Sequence, residues 1–137
     1  MYNDKIMEHF MCPQNAYYMQ DSDAEGEYGD EGCGDKVTCY IKVRDNVLVE
    51  VSYLVYGCAT SIACASMMSV LAKGKTIEEA GKITEQMVDD ELGGLPPLKK
   101  HCSNLGVGAL RYALQDYNYR KNNYKPKAYI DTNNKKS

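Results

Sequence analysis

Two adjacent runs of alternating hydrophobicity constrain this chain most. In VTCYIKVR (37–44), Val37, Cys39, Ile41 and Val43 share one face, and Thr38, Tyr40, Lys42 and Arg44 the other. In VLVEVSYLVY (47–56), Val47, Val49, Val51, Tyr53 and Val55 alternate in the same way. Asp45-Asn46 between them supplies a tight turn, so the pattern predicts a β-hairpin with one buried face. That face needs a cover, and the period changes to provide it. After Gly57, residues 59–74 read as a helix with Thr60 or Ser61 as its N-cap and Gly74 as its stop. Thr76 with Glu79 forms a capping box, residues 84–92 predict another short helix, and a last helix is expected from near His101 to about Arg120. Its apolar stripe is Val107, Leu110, Leu114 and Tyr117, while Gly106 and Gly108 should weaken it by about 1 kcal/mol each relative to alanine.

Residues 2–10 predict a helix stopped by Pro13, and His9 on it reads as a surface or packing residue. The acidic, glycine-containing stretch 20–35 predicts a loop with one irregular edge strand. Strands first and helices after give an α+β class: a small antiparallel sheet of about three strands packed against several helices. Residues 1–120 form one domain, and 121–137 a polar basic tail expected to be flexible.

Sixteen basic against nineteen acidic side chains give a net charge of −3, which argues against a nucleic-acid-binding domain. No apolar run approaches the length of a membrane span, and the N-terminus carries no secretory pattern, so a cytoplasmic protein is expected. Six cysteines in such a chain point to metal or thiol chemistry rather than disulfides. None is paired in a CxxC spacing. Cys39 follows the strand register into the core, and Cys64 lies mid-helix among small residues. Cys12 sits in a turn before Pro13.

The other three occupy junctions. Cys33 stands in Gly32-Cys33-Gly34-Asp35, Cys58 immediately before a helix N-terminus, and Cys102 beside His101 at the start of the last helix. Helix N-termini favour thiolates, the form that binds metal. Three junction cysteines with an Asp and a His give five ligands for four positions of a soft-metal site. The ligands come from segments 25 and 44 positions apart, which suits an easily opened iron centre better than a closed structural zinc. Asp35 and His101 remain alternative fourth ligands.

Gly32-Cys33-Gly34-Asp35, Tyr56-Gly57-Cys58-Ala59-Thr60-Ser61-Ile62-Ala63 and Leu95-Pro96-Pro97-Leu98-Lys99-Lys100-His101-Cys102-Ser103 together resemble the IscU/NifU-type iron–sulfur cluster assembly scaffolds. The opening helix, with Tyr2-Asn3-Asp4-Lys5 and His9-Phe10, is similar too. Leu98 stands where that family usually has valine, and Cys64 where it has serine. The resemblance implies a stand-alone scaffold rather than an enzyme. It would assemble a transient [2Fe–2S] cluster on Cys33, Cys58 and Cys102, completed by His101 or Asp35, and pass it to apo-proteins. It also implies that Asp35 keeps the cluster labile and that Cys102 accepts persulfide sulfur from a cysteine desulfurase. Leu95, Pro96, Pro97, Leu98 and Lys99 would dock an Hsp70-type chaperone, a Pro-Pro segment favouring polyproline II. Zn²⁺ would fit the same ligands. The alternative is a zinc-dependent SufU-like sulfur acceptor, although the insertion expected of that type before the last cysteine is missing. Monomer and homo-oligomer are both compatible with the sequence.

Overall fold

The computed structural model describes residues 3–30 and 34–122. The expected basic tail therefore lies almost wholly outside the described residues, as do Gly32 and Cys33.

The hairpin forms where the alternation places it. Strand β2 (Asp35–Arg44) pairs antiparallel with β3 (Val47–Tyr56) across Asp45 and Asn46. Both turn residues have positive φ, 53° and 66°, the geometry a two-residue type I′ turn requires. Val37, Cys39, Ile41 and Val43 are buried as expected. On β3 the expected face is corrected near the turn. Lys42 pairs with Glu50 but Val43 pairs with Leu48, so Val49 is an extra, bulged residue. The bulge turns Leu48 into the core and leaves Val49 42% exposed, while Val51 and Tyr53 stay buried. Tyr40, on the outer face, is also buried, its ring edge-on to Tyr18.

The edge strand is regular: β1 (Ala24–Asp30) pairs antiparallel with β2, giving the order β1-β2-β3. Before it, helix α1 (Asp4–Met11) is capped by Asn3, whose side chain accepts from the Ile6 N–H. The Asn3 amide also donates to Leu92 O at 2.9 Å, tying α1 to a distant helix end. His9 packs rather than faces solvent, its Nδ1 2.7 Å from Ser66 Oγ.

Helix α2 (Ala59–Ala72) is capped two or three residues earlier than expected: Cys58, not Thr60 or Ser61, is its N-cap. Ten of its fourteen residues are buried, so it is a central helix covered on nearly every side. Short helices α3 (Ile77–Ala80) and α4 (Glu85–Glu91) follow, the first opened by the Thr76–Glu79 capping box. Gly93 and Gly94 leave α4 with φ of 82° and 100°.

The last helix, α5 (Ser103–Asn122), starts two residues later than expected, because Pro97–Cys102 form a 3₁₀ turn. Pro96 adopts polyproline II geometry (φ −58°, ψ 146°), and the 3₁₀ turn claims Pro97 onwards. The glycines of α5 are points of close approach rather than flaws. A Cβ on Gly106 would stand 3.2 Å from Ala65 Cα, and one on Gly108 2.7 Å from the Tyr28 ring. Gly26 of β1 mirrors this, since a Cβ there would lie 2.2 Å from Ala113 N. Sheet and helix thus meet backbone to backbone. No described helix is long and apolar enough to cross a membrane.

Candidate metal centre

Three segment ends meet at one edge of this core. Asp35 opens β2, Cys58 joins β3 to α2, and Cys102 closes the 3₁₀ turn before α5. The donor atoms of Asp35, Cys58 and Cys102 all lie within 4.8 Å of one another. Cys58 Sγ is 4.0 Å from Cys102 Sγ and 3.5 Å from Asp35 Oδ2. Two thiolates bound about 2.3 Å from one tetrahedral ion would be separated by about 3.8 Å, so the spacing fits a shared metal. Asp35 and Cys102 are buried and Cys58 is half-buried. Cys39 and Cys64 are fully buried within the hydrophobic core.

The fold supplies the convergence. Gly57 admits the Asp35 carboxylate, because a Cβ at that position would stand 2.7 Å from Asp35 Cγ. The Leu95–Cys102 segment is held by Asp89, a buried carboxylate that accepts from the Leu95 N–H at 2.6 Å and pairs with Lys100 Nζ at 2.9 Å. Leu95 is buried while Leu98 is 87% exposed, so the segment is anchored at one end and presents its next leucine outward. Lys99 reaches inward, with Nζ 4.0 Å from Cys58 Sγ.

The two sulfurs differ electrostatically. Burial alone would raise the Cys58 thiol, but contacts at the start of α2, the Ser61 and Thr60 backbone amides among them, outweigh it and leave the pKa lowered. These amides begin α2, so the helix N-terminus acts as the sequence leads one to expect. Cys102 corrects that expectation. Its burial dominates and pushes the thiol up to about 11, with the neighbouring Cys58 and Asp35 adding to the rise.

His101 is exposed and stands beside the trio rather than in it, its Nε2 3.8 Å from Cys102 Sγ. Neighbours in a 3₁₀ turn point about 120° apart, yet the long imidazole side chain still reaches back to the Cys102 sulfur. Cys33 is outside the described residues. Cys12 is exposed at the end of α1, away from this chemistry.

Sequence reasoning misses Ser61 as a site residue. Its Oγ donates to Asp35 Oδ2 at 2.5 Å and lies 3.4 Å from Cys58 Sγ and 3.7 Å from Cys102 Sγ. The available signal is its spacing, three positions beyond Cys58 and thus one helical turn along the same face. Asp89 gives no such signal, since its partners are defined only by the path of the loop.

The family model described as "NifU-like N terminal domain" matches residues 1–124. Among individual proteins, the chain is 51% identical over 122 residues to the iron–sulfur cluster assembly scaffold protein IscU 1 of Archaeoglobus fulgidus, covering 89% of this chain and 79% of that one. It is 40% identical over 118 residues to the IscU scaffold protein of Aquifex aeolicus, covering 85% and 75%. Among solved structures, the SUF-system scaffold candidate FiSufU from Fervidobacterium islandicum AW-1 superposes with a TM-score of 0.67 at 26% identity, covering 82% of this chain and 96% of that one. An N-terminal NifU-like protein from Brucella abortus shares the fold, with a TM-score of 0.70 at 20% identity over 86% and 94% of the two chains.

Proposed function

This chain belongs to the NifU-like N-terminal domain family, and from that premise we propose that it is a scaffold on which an iron–sulfur cluster is assembled and then handed to apo-proteins. The observation that carries this is the convergence of Asp35, Cys58 and Cys102 from three separate segments. Soft thiolates select iron–sulfur chemistry, and ligands on separate segments can part to release a cluster. The IscU relatives, both named scaffold proteins, support assembly over sulfur transfer alone.

In finer detail, the cargo is a [2Fe–2S] cluster held by Cys33, Cys58 and Cys102, with Asp35 completing the set and His101 close enough to exchange with it. Asp35 supplies a harder ligand than thiolate, which leaves the cluster easier to lose. Zn²⁺ occupies the same ligands when iron and sulfide are lacking. A cysteine desulfurase passes the outer sulfur of its persulfide to the Cys102 thiolate and keeps its own cysteine as thiolate. Because Cys102 is enclosed, the 3₁₀ turn must move to receive it. Leu95–Lys99, anchored through Leu95 and presenting Leu98, docks an Hsp70-type chaperone.

Anaerobic incubation of the whole chain with ferric iron and sulfide, followed by addition of an apo-[2Fe–2S] ferredoxin, tests this reading. Visible absorption of a protein-bound cluster, lost from the scaffold as it appears in the ferredoxin, is expected. Failure to form a cluster, or a cluster that never leaves, would contradict it.

A further inference from the structure

The Ser61 hydroxyl has one proton and three neighbours that could take it. The distances decide: Asp35 Oδ2 is 2.5 Å away, against 3.4 and 3.7 Å to the two sulfurs. A short hydrogen bond to a carboxylate is charge-assisted and roughly twice as strong as a neutral one. Ser61 is fully buried in the first turn of α2, and Asp35 is 9% exposed. On the other side, the carboxylate lies against Gly57, where a Cβ would come within 3.0 Å of both its oxygens. The carboxylate therefore sits between a bare backbone and a fixed hydroxyl. Oδ2, the oxygen that Ser61 engages, is also the one 3.5 Å from Cys58 Sγ, so the hydroxyl holds the oxygen that faces the thiols and leaves its other lone pair for a metal.

We infer that Ser61 is a positioning residue that aims Asp35 at the metal through one oxygen, a role that rests on the reading of Asp35 as a ligand. Removing the hydroxyl leaves a buried carboxylate without its donor, and it turns away from the site. Loss of such an orienting partner typically costs 10–100-fold in metal affinity.

The test is Co²⁺ binding to the whole metal-free chain, read as affinity and as the visible ligand-field spectrum, in Ser61→Ala, Asp35→Ala and the double variant. Ser61→Ala should bind Co²⁺ about 10–100-fold more weakly and give the spectrum of Asp35→Ala. In the Asp35→Ala background the same substitution should change affinity by less than about twofold. A Ser61→Ala protein indistinguishable from the parent, or effects of the two substitutions that simply multiply, would overturn the inference. If Asp35→Ala itself changes neither affinity nor spectrum, the ligand role of Asp35 falls first. Gly57→Ala keeps the test independent of any folding defect in Ser61→Ala. It leaves Ser61 intact but crowds the carboxylate, so it should reproduce the spectral change with Asp35 present and be silent without it. A Gly57→Ala spectrum equal to the parent's would contradict the proposed seat.

Discussion

Burial divides the cysteines by chemistry as well as by place. The Cys39 thiol, surrounded by core side chains, is pushed up to about 12 by desolvation, and Cys64 is raised further by the same cause. Neither is available as a thiolate near neutral pH. The folded pKa of Cys39 lies above its ordinary value of about 8.5. Its burial therefore contributes fully below that value and is lost as pH rises towards 12, because only the unfolded chain ionises in that window. Denaturant unfolding should show stability falling with pH above about 9, and Cys39→Ala should flatten the slope by up to about 1.4 kcal/mol per pH unit. An unchanged slope would mean that Cys39 is not enclosed. For Asp35, a harder ligand among thiolates, substitution works in the opposite direction to most site mutations. Asp35→Ala should lengthen the life of a reconstituted cluster, followed as visible absorbance in the presence of a chelator, although a single ion such as Co²⁺ is held more weakly without the carboxylate. Equal or faster loss would remove Asp35 from that role. The core positions of Cys39 and Cys64 are legible in the sequence because strand and helix periods are local. Ser61 is not, since its hydroxyl acquires meaning only when β2 brings Asp35 alongside α2.

At the level of elements, the hairpin, its turn and the capping boxes follow from nearest-neighbour chemistry and are readable from residue types. The bulge at Val49 is not, because either register offers β3 an apolar face. What decides is the covering layer, which takes Leu48. The glycines were misleading for a related reason. Helix propensity counts Gly106 and Gly108 as costs, yet both sit where another element touches the helix. Gly26 is the sharpest case. A methyl there would meet the α5 backbone at Ala113 N and Ala109 O, at 2.2 and 2.5 Å, with no side chain free to yield. Gly26→Ala should therefore destabilise by about 3 kcal/mol or more in denaturant unfolding. Gly29→Ala, whose nearest contact would be an ordinary 3.4 Å, should stay within about 1 kcal/mol. Similar losses for the two would refute the backbone-to-backbone packing of β1 on α5.

Across the whole molecule, the metal centre is a knot in the chain's topology. One donor opens the sheet, a second links sheet to helix, and a third ends a turn that Asp89 grips at both Leu95 and Lys100. A metal bound there ties these segments together and stabilises only the folded state. Thermal unfolding of the zinc-loaded chain, with and without excess chelator, tests the central claim most directly. At a free zinc concentration about 100-fold above Kd, binding adds about 2.7 kcal/mol, which raises Tm by about 10 °C. The zinc-dependent rise should vanish in Cys58→Ser and in Cys102→Ser and persist in Cys39→Ser, whatever the baseline Tm of each. A rise that survives in Cys58→Ser and Cys102→Ser, or a parent protein whose Tm ignores the chelator, would contradict a metal centre built from these three segments.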